Sequence, residues 1–129
     1  MTEIVLVSHS KNLAEGIKEL ALQMAPDVTV HALGGTSDGE VGTDFDAVAE
    51  VFDKISGNAI VLFDLGSGGM TAQQAHEELD PEKQEKIVIL NAALVEGAVI
   101  AAVQAGLNTP FEELLQTMKK MEINWKVFK

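Results

Sequence analysis

A chain of 129 residues makes one domain of ordinary size, and 47% apolar with 22% charged residues is close to globular usage, so collagen, coiled-coil and disordered readings are excluded. Nine basic against twenty acidic residues leave a net charge of −11, which repels DNA, RNA and acidic membrane surfaces as partners. All nine basic residues are lysine, so no arginine is present to clamp a nucleotide phosphate, and the absence of cysteine removes disulfides, thiolate metal sites and thiol nucleophiles.

The chain opens Met1-Thr2-Glu3 before a four-residue apolar run, with no basic stretch ahead of it, so no secretory signal is expected. Residues 4–7 are continuously β-branched or leucine, the pattern of a strand buried on both faces. Asn12 with Glu15 three residues later reads as a capping box, and Leu13, Ile17, Leu20 and Met24 continue at helical spacing until Pro26. A second strand is predicted over 28–33, followed by a loop containing Gly34, Gly35 and Gly39. Thr43 and Asp46 open a second helix whose apolar face is Phe45, Val48, Phe52 and Ile55, ending before Gly57.

Residues 59–63 form a third strand, residues 64–69 a glycine-rich turn, and 70–79 a short helix closed by Pro81. A fourth strand over 87–90 leads to a helix over 93–105 that is apolar almost all round and capped by Gly106. Its stretch, interrupted by Glu96 and Gly97, is shorter than the ~20 residues a bilayer requires, so no membrane span is expected, and the lack of cysteine, which requires no oxidising compartment, leads to the expectation of a cytoplasmic protein. Thr109, Pro110 and Glu112 start a last helix with Phe111, Leu114, Leu115 and Met118 on one face. From Ile123 the apolar residues alternate through Trp125 and Val127, which predicts a C-terminal edge strand. Gly16 and Gly97, inside helices, are assigned to close packing.

This order gives an α/β fold: a doubly wound, mostly parallel four-stranded sheet of order 2-1-3-4, with the edge strand added and helices on both faces. The switch point lies between strands one and three, where a crevice opens at their carboxyl ends. Ser8-His9-Ser10 and Asp64-Leu65-Gly66-Ser67-Gly68-Gly69 line it. A neutral imidazole is a competent nucleophile near pH 7, and a carboxylate on one ring nitrogen leaves the other free, so His9 and Asp64 are the candidate pair. A glycine-rich turn entering a helix offers backbone N–H groups to an anion, and Ser67 and Thr71 add hydroxyls.

The plainer alternatives are a strand-ending histidine, a turn aspartate and glycines chosen for positive φ. His31, inside a strand, and His76, among Gln73, Gln74, Glu77 and Glu78, read as structural or solvated, and neither forms a metal site with its neighbours. A receiver domain would need an acidic pair where Ser8-His9-Ser10 stands. A nucleotide module would need a phosphate-binding glycine motif after the first strand, and none occurs.

Three separated strings carry a resemblance over essentially the whole chain: Val5-Leu6-Val7-Ser8-His9-Ser10 with Leu13-Ala14-Glu15-Gly16, then Phe63-Asp64-Leu65-Gly66-Ser67-Gly68-Gly69-Met70-Thr71, then Asn91-Ala92-Ala93-Leu94-Val95-Glu96-Gly97. The chain resembles the DhaM family, phosphotransferase subunits of the sugar-phosphotransferase-dependent dihydroxyacetone kinase, which is similar in turn to the mannose-type enzyme IIA domain. The resemblance implies that residues 1–129 form one IIA-like domain, that its C-terminal edge strand is antiparallel and that His9 accepts a phosphoryl group from the phosphohistidine of HPr. Delivery would then be to ADP on the DhaL subunit, for dihydroxyacetone on DhaK. Asp64 matches the acidic partner, and Gly66, Ser67, Gly68 and Thr71 the phosphate-side loop. No metal or cofactor is implied, and a homodimer is. Gly66-Ser67-Gly68-Gly69 departs from the Gly-Gly-Ser-Pro turn of mannose-type transporters, while Asn91-Ala92-Ala93 lacks the proline expected there. The alternatives are a transporter IIA with the same chemistry and a different acceptor, and a non-catalytic anion-binding or interaction domain.

Overall fold

An uninterrupted apolar strand needs cover on both faces, and the computed structural model, which describes residues 1–123, supplies it. β1 (Glu3–Ser8) lies between β2 (Val30–Gly34) and β3 (Ala59–Phe63), with β4 (Ile87–Ile89) beyond β3. All pairs are parallel and the order is β2-β1-β3-β4, as the sequence predicts.

The two sides of the sheet divide by residue parity. Ile4, Leu6, Ile60 and Leu62 face α1 (Lys11–Met24), α5 (Leu94–Gly106) and α6 (Phe111–Lys119). Val5, Val7 and Val61 face α2 (Phe45–Lys54) and α3 (Gly66–Glu77). Each buried leucine or isoleucine contributes roughly 1.5–3 kcal/mol, so the doubly covered centre of the sheet holds its rim firmly. Val7 pairs with both Leu33 and Phe63, which brings the carboxyl ends of three strands level. Because α1 and α3 leave β1 and β3 toward opposite faces, the gap between their first turns is the crevice.

Several boundaries differ from the sequence expectation for local reasons. Ser10, still extended, caps α1 by accepting from the Leu13 N–H at 3.2 Å, so Asn12 is already helical. Asp44 rather than Thr43 caps α2, accepting from Ala47 N–H at 3.2 Å. α3 begins at Gly66, four residues before the expected start, so the glycine string is its first turn; none of Gly66, Gly68 and Gly69 has positive φ. α4 (Pro81–Lys86) was not anticipated: Pro81 starts it under an Asp80 cap, and it buries no residue, so no apolar period announced it. α5 continues through Gly106, and the left-handed residue after it is Asn108, with φ 57°. Thr109 does not cap α6; its hydroxyl donates to Gln104 Oε1 at 2.7 Å.

Gly97 is where packing demands it, since a Cβ there would stand 3.3 Å from Leu62 Cδ1. Gly16 is not: a Cβ would meet nothing within 4 Å, which overturns its packing role. At the C-terminal end, Glu122 bridges Ala92 antiparallel and Ile123 N–H donates to the Asn91 carbonyl at 2.8 Å. The rest of the predicted edge strand, with Trp125, Val127 and Phe128, lies outside the described residues.

Candidate functional site

His9 is the first residue beyond β1 and Asp64 the first beyond β3, and the register of two adjacent strands sets them side by side. His9 Nδ1 lies 2.9 Å from Asp64 Oδ1. The same carboxylate accepts from Leu65 N–H at 2.7 Å on Oδ1, and from His9 N–H and the Ser8 hydroxyl, each at 2.9 Å, on Oδ2. All four partners donate, so the two oxygens are fully engaged. Burial of this carboxyl opposes ionisation, but the bonds from the His9 backbone, the His9 ring, Ser8 and Leu65 together outweigh it and hold the pKa below the ordinary value.

An ionised carboxylate can only accept, so Nδ1 of the neutral ring carries the proton and Nε2 presents its lone pair. Nε2 lies 2.7 Å from the Ser67 hydroxyl, on the solvent side of the ring. The His9 and Asp64 side chains are both partly buried, and the Nε2 contact with Ser67 lies on the exposed side, so the nucleophilic nitrogen is reachable. The backbone is fixed too, since Gly42 N–H donates to the His9 carbonyl at 2.9 Å.

Beside Nε2 stands the start of α3. Leu65 occupies the cap position without a side-chain hydrogen bond, and the first turn holds no acid. Gly68 and Gly69 N–H both turn back to the Leu65 carbonyl, leaving those of Gly66 and Ser67 without an acceptor inside the helix. A missing cap costs about 1 kcal/mol, and here it leaves donors and the positive dipole end facing the imidazole. Gly68 lies under the ring: a Cβ would be 3.5 Å from His9 Cε1 and from Asp64 Oδ1. A Cβ at Gly69 would come within 2.8 Å of the Phe63 ring, so any side chain there would have to displace that ring. Such an arrangement suits attack by Nε2 on an electrophilic phosphorus and shelter of the anion that results.

The first two sequence strings thus meet at one rim. The family model EIIA-man, described as PTS system fructose IIA component, matches residues 3–115. The chain belongs to the EIIA-man family. Among relatives of this family member, a Listeria innocua protein named PEP-dependent dihydroxyacetone kinase 2, phosphoryl donor subunit DhaM, is 43% identical over 92% of this chain and 97% of its own. A Lactococcus lactis protein named PTS-dependent dihydroxyacetone kinase, phosphotransferase subunit DhaM, is 36% identical over 93% and 95% respectively. The crystal structure of EF1359, a protein of unknown function, superposes with a TM-score of 0.85 at 32% identity, covering 96% of this chain and 98% of that one.

Within this EIIA-man domain the expected site residues do not all share one duty. His9, Asp64, Gly66, Ser67 and Gly68 come together. Thr71 stands one turn behind: its hydroxyl donates to the Ser67 carbonyl at 3.1 Å and lies 3.0 Å from Thr43 Oγ1, so it braces the Ser67 turn. His31 and His76 are remote, His31 against Glu3 at 2.7 Å and His76 against the carbonyls of Gln84 and Ile87. Sequence reasoning placed Ser8 in the crevice without a role and missed Gly42 altogether. Ser8 ends a strand, with nothing in the string to show that its hydroxyl reaches a residue 56 positions away. Gly42 sits in a loop whose approach to His9 is a tertiary contact with no local pattern.

Proposed function

We propose that this chain is a phosphohistidine carrier, the phosphoryl-donor subunit of a phosphoenolpyruvate-dependent dihydroxyacetone kinase. His9 Nε2 attacks the phosphorus of phospho-HPr: the N–P bond to HPr breaks as the Nε2–P bond forms, while the Nδ1 proton stays on its bond to Asp64. Ser67 must turn its hydroxyl aside for the phosphoryl group to enter, and there it can donate to a phosphoryl oxygen along with the N–H groups of Gly66 and Ser67. The group then passes to ADP on DhaL, for dihydroxyacetone on DhaK. The absence of arginine in this chain fits a nucleotide whose phosphates are neutralised by another subunit. We propose further that residues 1–129 act as one IIA domain in the cytoplasm and as a homodimer.

The observation that carries this reading is the His9 ring itself, with Nδ1 held on Asp64 and Nε2 aimed at the uncapped start of α3. The names of relatives, donor subunits of dihydroxyacetone kinases, support a kinase rather than a transporter as the destination. The family description, a sugar-type IIA component, favours a second reading in which the acceptor is a transporter IIB domain. Incubation with labelled phosphoenolpyruvate, enzyme I and HPr is expected to place one phosphate on the chain. His9→Gln should abolish it, and His31→Gln and His76→Gln should retain it. Labelling of the His9 variant would defeat the assignment. Discharge to DhaL-ADP supports the kinase, discharge only to a IIB domain the transporter, and no labelling at all a non-catalytic anion-binding domain.

A further inference from the structure

Ser8 and Thr2 are the buried polar side chains among the described residues, and Ser8 is only 1% exposed. A hydroxyl in that setting needs partners, since an unsatisfied one costs about 1–3 kcal/mol. Ser8 could have turned to a neighbouring backbone carbonyl, as strand-ending serines commonly do. Instead its hydroxyl donates across the sheet to Asp64 Oδ2 at 2.9 Å and accepts from Ser10 N–H at 3.0 Å. Ser10 in turn caps α1 through Leu13 N–H. One unbroken chain of bonds therefore runs from the start of α1, through Ser8, to the carboxylate that holds the His9 ring.

Three of the four donors on Asp64 come from the 8–9 dipeptide: the Ser8 hydroxyl, His9 N–H and His9 Nδ1. The backbone donors set where the carboxylate sits, but they are shared between its two oxygens, His9 N–H on Oδ2 and Leu65 N–H on Oδ1. The Ser8 hydroxyl is the second donor on Oδ2, and it balances the pair of donors on Oδ1. With that bond the carboxylate plane is fixed, and Oδ1 stays aimed at Nδ1.

We infer that Ser8 is a positioning residue for His9, acting through Asp64: its hydroxyl fixes the rotation of the carboxylate that sets the imidazole tautomer. The inference rests on the phosphohistidine reading for its kinetic consequence, but not for its structural one. In Ser8→Ala the Oδ2 atom loses a donor, so the Asp64 carboxyl should titrate at higher pH. The Nδ1–H tautomer of His9 should be less populated, and phosphoryl uptake from phospho-HPr should fall about three- to tenfold, the net worth of one ordinary hydrogen bond.

The test combines carboxyl and imidazole NMR titrations with uptake rates for the wild type, Ser8→Ala and Ser8→Thr, whose hydroxyl can restore the bond. A displaced Asp64 titration, a less populated Nδ1–H tautomer of His9 and slowed uptake in the alanine variant, all restored by threonine, are expected. An unchanged Asp64 titration and His9 tautomer in a folded Ser8→Ala protein would overturn the inference, as would a loss that threonine fails to restore. Should Ser8→Ala fold poorly, Ser8→Cys, which keeps the volume with only a weak S–H donor, is read by the same criteria. A wild type that takes up no phosphate defeats the phosphohistidine reading alone, because the NMR comparison needs no partner protein and still decides the role of Ser8.

Discussion

At the scale of the residue, the site is built around an acceptor surrounded by donors. Asp64 meets two N–H groups, a hydroxyl and an imidazole N–H, and no arrangement of an amide could satisfy all four. Asp64→Asn would push its NH2 group against donors on whichever side it turned, besides removing the charge that stabilises the ring as it gains positive character. Phosphoryl uptake is expected to slow at least about tenfold, by analogy with the loss of other carboxylates that orient histidines. Single-turnover labelling of a variant shown folded by circular dichroism checks this, and unchanged kinetics would reduce Asp64 to a turn residue. The carboxyl also makes a pH prediction. Its folded pKa is below the ordinary 3.8, so the folded state favours the ionised form. The stability this supplies is fully present above about pH 4 and is lost as pH falls through the lower folded value. Acid unfolding followed below pH 5 should therefore be less steep in Asp64→Asn than in the wild type.

At the scale of the element, two glycines separate what the chain needs from what it tolerates. A Cβ on Gly34 would lie 2.3 Å from the Ser10 carbonyl oxygen and 2.8 Å from Lys11 Cα, both backbone. Gly34→Ala must push the end of β2 away from the β1–α1 turn, and a loss of about 1–3 kcal/mol in chemical denaturation is expected, with slower phosphoryl uptake because that turn carries His9. Gly16 lies exposed on α1 with open space around it, and Gly16→Ala should instead gain about 1 kcal/mol and raise the melting temperature by a few degrees. Equal effects of the two substitutions would contradict this packing. The same contrast explains what the sequence revealed. Strands showed themselves because burial on both faces leaves no polar interruption, and right-handed crossovers restricted the topology, the doubly wound arrangement giving the order. His9 and Asp64 were legible because strand ends are countable. Gly66 to Gly69 read as a loop because glycine disfavours helix, yet α3 starts at Gly66, and only at Gly69 would a Cβ crowd a neighbour, the Phe63 ring. α4 was invisible because a six-residue helix with no buried side chain has no period to detect.

At the scale of the whole molecule, the remaining question is what covers its apolar surface. α5 lays its small residues, Ala98, Ala101, Ala102 and Ala105, against the sheet and α1, and this turns its larger ones outward. Val95 is 46% exposed, Leu107 just after the helix 70%, and Val99, Ile100 and Val103 are only half-buried. Nearby, an open groove of about 790 Å³ runs along β4 beside Asp64, lined by Val88, Ile89, Met70, Leu94 and Ile123 among others. Exposed apolar residues grouped in this way usually mark an association surface. A second copy is the occupant proposed here, because a two-fold pair would use the same patch twice and cover the α5 surface of both chains at once. The high negative charge does not forbid it, since like charges farther apart than the ~8 Å Debye length at physiological salt are largely screened. Light scattering at micromolar concentration and neutral pH should report twice the 13.8 kDa chain mass, and complete phosphorylation should add one phosphate per chain. A mass of one chain under those conditions would refute the dimer, and half-stoichiometric labelling would show that its two sites do not act independently.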